Sequence, residues 1–386
     1  MAALGVLAFQ PGWLGGGDAE PLADSSLADG GSDQPEPRVD PDAADGEWRR
    51  LPDAPLAART EQAAVWAGDR LLLWGGAFDD GFERRTFLAD GAALDAGNAW
   101  SGLPEAPLSA RTGHAAVWTG SELLIWGGEG SAGFFADGAA YDPATGTWRS
   151  LPEAPLSPRA GIAAVWTGDA LLLVGGRDNG GPLSDGAAFD PASRTWRTLP
   201  PLPETLERAG ELRGVEAGDA AVFWSPGQGG LALSEIARFD PATDAWAALP
   251  NPSDGESGIP LVAWDGQELL ALLANYDGTG ARLMALSPGA QDWQERGATP
   301  TFDDPWEASA AWTDEALLVA LGDAAPSAVR YEPASDLWTR LPEAPLGEGW
   351  HRDAVWTGEQ LLILEGASAA EPGAPLSGAA WRFTAR

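Results

Sequence analysis

Arginine is the only basic residue type in this chain: all 23 Lys+Arg positions are arginine, against 57 acidic residues. Three arginines recur at one place in a repeated segment: Arg59, Arg111 and Arg159, each just before an Ala-Ala-Val-Trp run. Arg208 and Arg213 fall near the same place, and Arg352 sits three residues further on. A guanidinium is a planar fork that matches carboxylate or phosphate oxygens, so a ring of these residues at a channel mouth is a candidate anion clamp. The competing reading is a ladder of salt bridges to the acid of each Leu-Pro-(Glu/Asp)-Ala-Pro segment: Asp53, Glu105, Glu153 and Glu343. The ladder is the preferred reading, and the arginines stand beside it as binding candidates. His114 and His351 have no nucleophile motif or Ser-His-Asp spacing around them, so they read as pore or surface groups that join the binding candidates, and no catalytic residue is assigned. Trp306 and Trp350 break the regular spacing of the other tryptophans, and Phe82, Arg84, Arg85 and Phe87 form a compact aromatic and basic patch; all six join the binding candidates.

Composition narrows the chemistry further. There is no Cys, which removes disulfide frameworks, thiolate metal sites and cysteine nucleophiles. Two His make a multi-histidine centre an unlikely design, so neither a metal nor a cofactor is expected. The spacing Asp40, Asp42, Asp45-Gly46 resembles a calcium loop, but its third acid falls one place late. A net charge of −34 repels phosphate, which argues against nucleic acid and anionic membrane faces as partners. Hydrophobic content of 44% is ordinary for a folded chain of 386 residues.

The elements that must carry these residues are repeats. LPEAPLSARTGHAAVWTGSELLIWGG, LPEAPLSPRAGIAAVWTGDALLLVGG and LPDAPLAARTEQAAVWAGDRLLLWGG are near copies, each followed by Asp-Gly-Ala-Ala and a Trp. The closing tryptophans Trp48, Trp100, Trp148, Trp196, Trp246, Trp293 and Trp338 are 45 to 52 residues apart, the period of a four-stranded propeller blade. Each unit reads as an Ala-Ala-Val-Trp strand, a tight turn, an unbroken apolar strand such as Leu123–Trp126, a third strand such as the one around Tyr141, and a strand bearing the closing Trp. Six further tryptophans, Trp66, Trp118, Trp166, Trp264, Trp312 and Trp356, end the first strands. They are candidates for a sugar platform, but packing between blades is the preferred reading at this spacing.

The chain enters at a fourth strand, around Trp48, and leaves at a third strand over 378–383. The expected fold is therefore an all-β, seven-bladed propeller over 47–386. Its ring closes when the N-terminal strand completes the C-terminal blade, which removes an open sheet edge. Residues 17–46 read as a solvated acidic linker. Residues 1–16 carry an apolar run, Ala2 to Phe9, too short to span a bilayer and without a basic flank. It reads either as the remnant of an export or anchor segment or as an unstructured terminus. The corresponding expectations are an extracytoplasmic place, secreted or tethered to a membrane at the N-terminus, and a monomer.

The double glycines Gly75-Gly76, Gly127-Gly128 and Gly175-Gly176, with an aromatic and then Trp at the spacing Tyr141 to Trp148 and Tyr331 to Trp338, resemble the kelch repeat. Later units replace the pair with Ser225-Pro226, Ala274-Asn275, Gly322-Asp323 and Glu365-Gly366. The resemblance implies a β-propeller and a non-enzymatic scaffold that binds protein or glycan through its long loops. Those loops, 77–89, 129–136, 177–184 and 366–377, share one face with the blade-to-blade connections, which is where binding is expected. The alternative is a sugar-processing enzyme similar to the sialic acid mutarotases, with arginine and acid at the channel mouth. Copper radical oxidases share the fold, but they need a Cys that this chain lacks.

Overall fold

A computed structural model describes residues 39–40, 46–79, 85–207, 211–227, 235–252, 257–275, 280–297, 299–300, 309–313, 315–321, 327–342, 353–364 and 380–385. Seven blades, each of four antiparallel strands, follow one another as blades 1 to 7. Their first strands are Ala63–Trp66, Ala115–Trp118, Ala163–Trp166, Arg213–Ala217, Ser257–Trp264, Ser309–Trp312 and Asp353–Trp356. Each of these neighbours the first strands of the blades on either side, and the strand of blade 7 neighbours that of blade 1, so the seven form a closed inner ring.

The apolar second strands explain the cohesion of that ring. In blade 1, Leu71 and Leu73 pack in the core shared with blade 7, whereas Leu72 and Trp74 pack in the core shared with blade 2. Alternate side chains point to opposite faces of a strand, so a strand buried on both faces must be apolar throughout. Seven such cores are found among the described residues, one in each seam between neighbouring blades.

Closure follows the permuted strand order read from the sequence. Gly46–Arg50 pairs antiparallel with Ala380–Ala385, from Gly46 opposite Ala385 to Arg50 opposite Trp381, and so supplies the fourth strand of blade 7. The outer tryptophans then link blade to blade. The indole N–H of Trp100, Trp148 and Trp196 donates to the carbonyls of Pro52, Pro104 and Pro152 at 2.8, 3.0 and 2.9 Å. Trp48 does the same to Pro342 at 2.8 Å, so the closing seam carries the same bond as the others. Trp293 lies just before the fourth strand of blade 5, Gln294–Glu295, and still donates to Pro250.

The linker expectation needs one amendment. Val39–Asp40 lies parallel to the fourth strand of blade 6, opposite Trp338 and Thr339, and makes that sheet five-stranded. An outer edge presents unpaired backbone groups that a passing extended segment can satisfy. Two residues of low apolar content give no periodic signal for this in the sequence.

Candidate functional site

The double glycines set the geometry of the long-loop face. Gly75 and Gly76 have φ of 72° and 94°, and Gly127 and Gly128 have 69° and 99°, a region that residues with a Cβ rarely adopt. A Cβ on Gly128 would lie 2.7 Å from the carbonyl oxygen of Thr112. The turn sends the chain back against the lead-in of its own blade, where Thr60 bridges Ala77, Thr112 bridges Glu129 and Ala160 bridges Arg177. Each of blades 1 to 3 then raises a small hairpin: Ala77–Asp79 with Arg85–Phe87, Glu129–Gly130 with Gly133–Phe134, and Arg177–Asp178 with Gly181–Pro182.

Arg59, Arg111 and Arg159 brace these loops from below. All three are buried, at 0%, 0% and 1% exposure. Arg111 donates through Nε to the carbonyl of Ser109 at 2.9 Å, through Nη1 to the carbonyl of Gly127 at 2.9 Å, and through Nη1 and Nη2 to both oxygens of Asp137 at 2.8 and 3.2 Å. Its guanidinium also lies over the ring of Phe135, 4.2 Å from the centroid. Arg59 repeats the pattern with Asp90, and Arg159 with Asp185. The expected partners were the acids of the Leu-Pro-(Glu/Asp)-Ala-Pro segments; the structure replaces them with the Asp that precedes each third strand. Glu105 and Glu153 are exposed, and Asp53 pairs with Arg50. As an anion ring the three arginines have nothing to offer, because their donors are engaged and shielded from water.

His114 is a packing residue. Its ring sits where the added Cβ of Gly75 would meet it at 2.9 Å, just as Ile162 faces Gly127 and Leu212 faces Gly175 in the next two seams. Trp74 meets it edge-on, with centroids 5.2 Å apart. Burial, aided by the nearby Arg111 charge, lowers its pKa to about 3, so it is neutral at physiological pH. Arg213 donates to Glu211 at 3.0 Å and to the carbonyl of Pro260 at 2.7 Å, which ties blade 4 to blade 5. Arg208, Trp306, Trp350, His351, Arg352, Phe82 and Arg84 lie outside the described residues.

Above the braces a polar ladder crosses three blades. Arg85 pairs with Glu61 and approaches Glu129 at 3.8 Å; Arg177 donates to Glu129 at 2.9 Å. Arg85 lies over Phe87 and Arg177 over Phe134, 5.6 and 5.5 Å from the ring centroids. Thr112 donates to the other carboxylate oxygen of Glu61 at 2.7 Å. Glu61 holds φ of 55°, where blades 2 and 3 have Gly113 and Gly161, a conformation that costs a residue with a Cβ roughly 1–2 kcal/mol. Sequence reasoning named Arg85 and Phe87 but missed Glu61, Glu129, Phe134 and Arg177. The signal was present in the repeat itself: the position filled by Ala77 in blade 1 is Glu129 in blade 2 and Arg177 in blade 3, and the position filled by Gly113 and Gly161 in blades 2 and 3 is Glu61 in blade 1.

A family model, described as the KLHDC2/KLHL20/DRC7 kelch-repeats domain, matches residues 61–261. The chain belongs to the kelch-repeat family. The match covers the blades with intact glycine pairs and runs through the decayed fourth into the start of the fifth. A comparison with curated proteins finds no match. Among solved structures, this kelch propeller is similar to a fungal alcohol oxidase of the AA5 family in complex with copper. The identity is 13%, the TM-score is 0.64, and the match covers 88% of this chain and 76% of that one. At that identity the likeness concerns the fold alone.

Proposed function

We propose that this kelch propeller is a non-enzymatic scaffold that binds a protein partner through the long-loop face of blades 1 to 3. One observation carries the reading: a continuous ladder, Glu61, Arg85, Glu129 and Arg177, with Phe87 and Phe134 beneath its arginines, crosses three rigidly braced hairpins. Arginines stacked on aromatic rings are pre-organised donors, and such residues dominate binding energy at protein interfaces. Arg177 is the most open member, with 42% of its side chain exposed. Copper chemistry does not transfer from the oxidase: the chain has no Cys, one of its two His is a core residue, and no group of three metal-binding side chains occurs among the described residues. The sugar-processing alternative relied on open channel arginines, and Arg59, Arg111 and Arg159 are sealed.

The test is capture of partners from the native host by the wild type and by an Arg85→Ala, Arg177→Ala double variant, together with a glycan array. A partner retained by the wild type and lost by the double variant supports the reading. A partner unaffected by these changes, or binding to glycans alone, rejects it.

A further inference from the structure

The face opposite the hairpins carries a second constellation. The first strand ends in Trp66, Trp118, Trp166, Trp264, Trp312 and Trp356 in six blades, and at the equivalent place in blade 4 stands Glu216. All seven residues pair with the start of a second strand, as Trp66 with Leu71 and Glu216 with Ala221, so they lie at one level of the inner ring. Each tryptophan packs against the seam shared with the preceding blade yet remains partly exposed. Packing between blades thus leaves part of each of these tryptophans open to solvent.

The indole N–H groups divide the tryptophans into two sets. Those of the outer Trp48, Trp100, Trp148, Trp196, Trp246 and Trp293 donate to proline carbonyls. Among the described residues none of the six inner indoles has a hydrogen-bond partner, and none of their nitrogens is sealed from solvent. The carboxyl of Glu216 likewise has no ion pair or hydrogen bond among the described residues. Acids crowd the short turns that follow. Asp219, two residues beyond the Glu216 strand, pairs with Arg238 at 3.0 Å and is still 92% exposed, and Asp169, Glu315 and Glu359 have no arginine partner among the described residues. Among the described residues, the chain's own cation–π contacts all lie on the other face, at Phe87, Phe134 and Phe135.

We propose that this short-turn mouth receives an arginine-rich segment of a partner protein. Tryptophan is the best aromatic acceptor for a cation, and arginine is its most frequent donor. A planar guanidinium can stack on an indole while its edge meets Glu216 or an acid of the turns. The partner's backbone carbonyls would accept from the open indole N–H groups. The net charge of −34 steers a cationic chain toward the protein and gives a neutral glycan no advantage. The surface is separate from the long-loop face, so one propeller would hold two partners at once.

Isothermal titration of the full chain with a hexa-arginine peptide tests this, with a neutral hexasaccharide as the second probe. The peptide binds and the saccharide does not. Glu216→Gln weakens the peptide by about fivefold and Trp264→Leu by on the order of tenfold, the range expected for one charge pair or one cation–π contact. Asp190→Asn, at a peripheral turn of the same face, and Arg177→Ala, on the opposite face, change affinity less than about twofold. Glu216→Gln removes no packing, so it keeps the test valid if Trp264→Leu fails to fold. Absence of peptide binding, equal weakening by Glu216→Gln and Asp190→Asn, or binding of the saccharide alone would overturn the proposal.

Discussion

Arg111 shows how a binding-type residue becomes a structural one. Its guanidinium meets two carbonyls, a bidentate carboxylate and an aromatic face, with no exposed surface. Removing one partner of such a pair leaves the other polar groups unmatched, which costs more than the pair contributes net. Arg111→Ala is therefore expected to destabilise the protein by about 3 kcal/mol, read as a lower urea midpoint. Asp137→Asn should cost less, about 1 kcal/mol, because Asp137 is half exposed and the carbonyl acceptors stay in place.

A second residue-scale effect concerns the closing seam. Asp353 opens the first strand of blade 7 deep in the ring, with part of the residue still facing open space, and accepts a bond from Gln62 Nε2 of blade 1 at 3.1 Å. Burial raises its pKa from 3.8 to about 7, against a smaller lowering by Gln62. The folded state thus keeps a proton that the unfolded chain releases near pH 4. Its contribution favours folding most below that pH, declines as pH rises toward 7, and is lost above it. Asp353→Asn should flatten this decline and raise stability at pH 8 by roughly 2–4 kcal/mol relative to wild type. Equal pH slopes for the two proteins in chemical denaturation would contradict this.

At the scale of elements, the glycine pairs do two things that one substitution set can separate. Gly120 and Gly128 both have strongly positive φ, 96° and 99°. A Cβ on Gly120 meets nothing within 4 Å, whereas one on Gly128 meets the Thr112 carbonyl at 2.7 Å. Gly120→Ala should cost about 1 kcal/mol for the backbone conformation alone. Gly128→Ala should cost at least about 2 kcal/mol, because the hairpin must also move off the lead-in strand. The decayed later blades replace the pair and lack the Arg–Asp brace among their described residues. The clean repeats and the ladder occur together for this reason: a turn that brings two backbones so close holds its hairpin at a fixed angle.

For the whole molecule, closure rests on Gly46–Arg50. Deleting residues 1–38 removes none of the described pairings and should leave the melting temperature within about 2 °C. Deleting 1–45 also removes the two-residue strand on blade 6 and should lower it slightly. Deleting 1–55 takes away the fourth strand of blade 7 and the Trp48–Pro342 bond, and should produce a loss of many degrees or aggregation. Equal melting of the shortest and longest deletions would refute ring closure by this strand. The N-terminal apolar run carries the separate proposal of export; recovery of intact protein wholly in the cytoplasm of the native host would reject it.

The sequence by itself determined the blade number, the permuted order and the strand that closes the ring. These follow from periodicity, since each blade buries the same faces against its neighbours and must repeat the same apolar and turn residues. It also favoured packing between blades for the first-strand tryptophans, and each of them packs against a seam while staying partly exposed. Only the tertiary structure decided which acid meets each arginine. Arg111 and Asp137 are 26 residues apart, and their meeting depends on the path of a hairpin that no short pattern encodes. It also decided that His114 fills the place taken by Ile162 and Leu212 in the next two seams, because a single polar letter cannot reveal that its ring rests on a glycine of the preceding blade. The ladder of Glu61, Arg85, Glu129 and Arg177 belongs to the same class. Its members come from three repeats, and only the curvature of the ring brings them side by side.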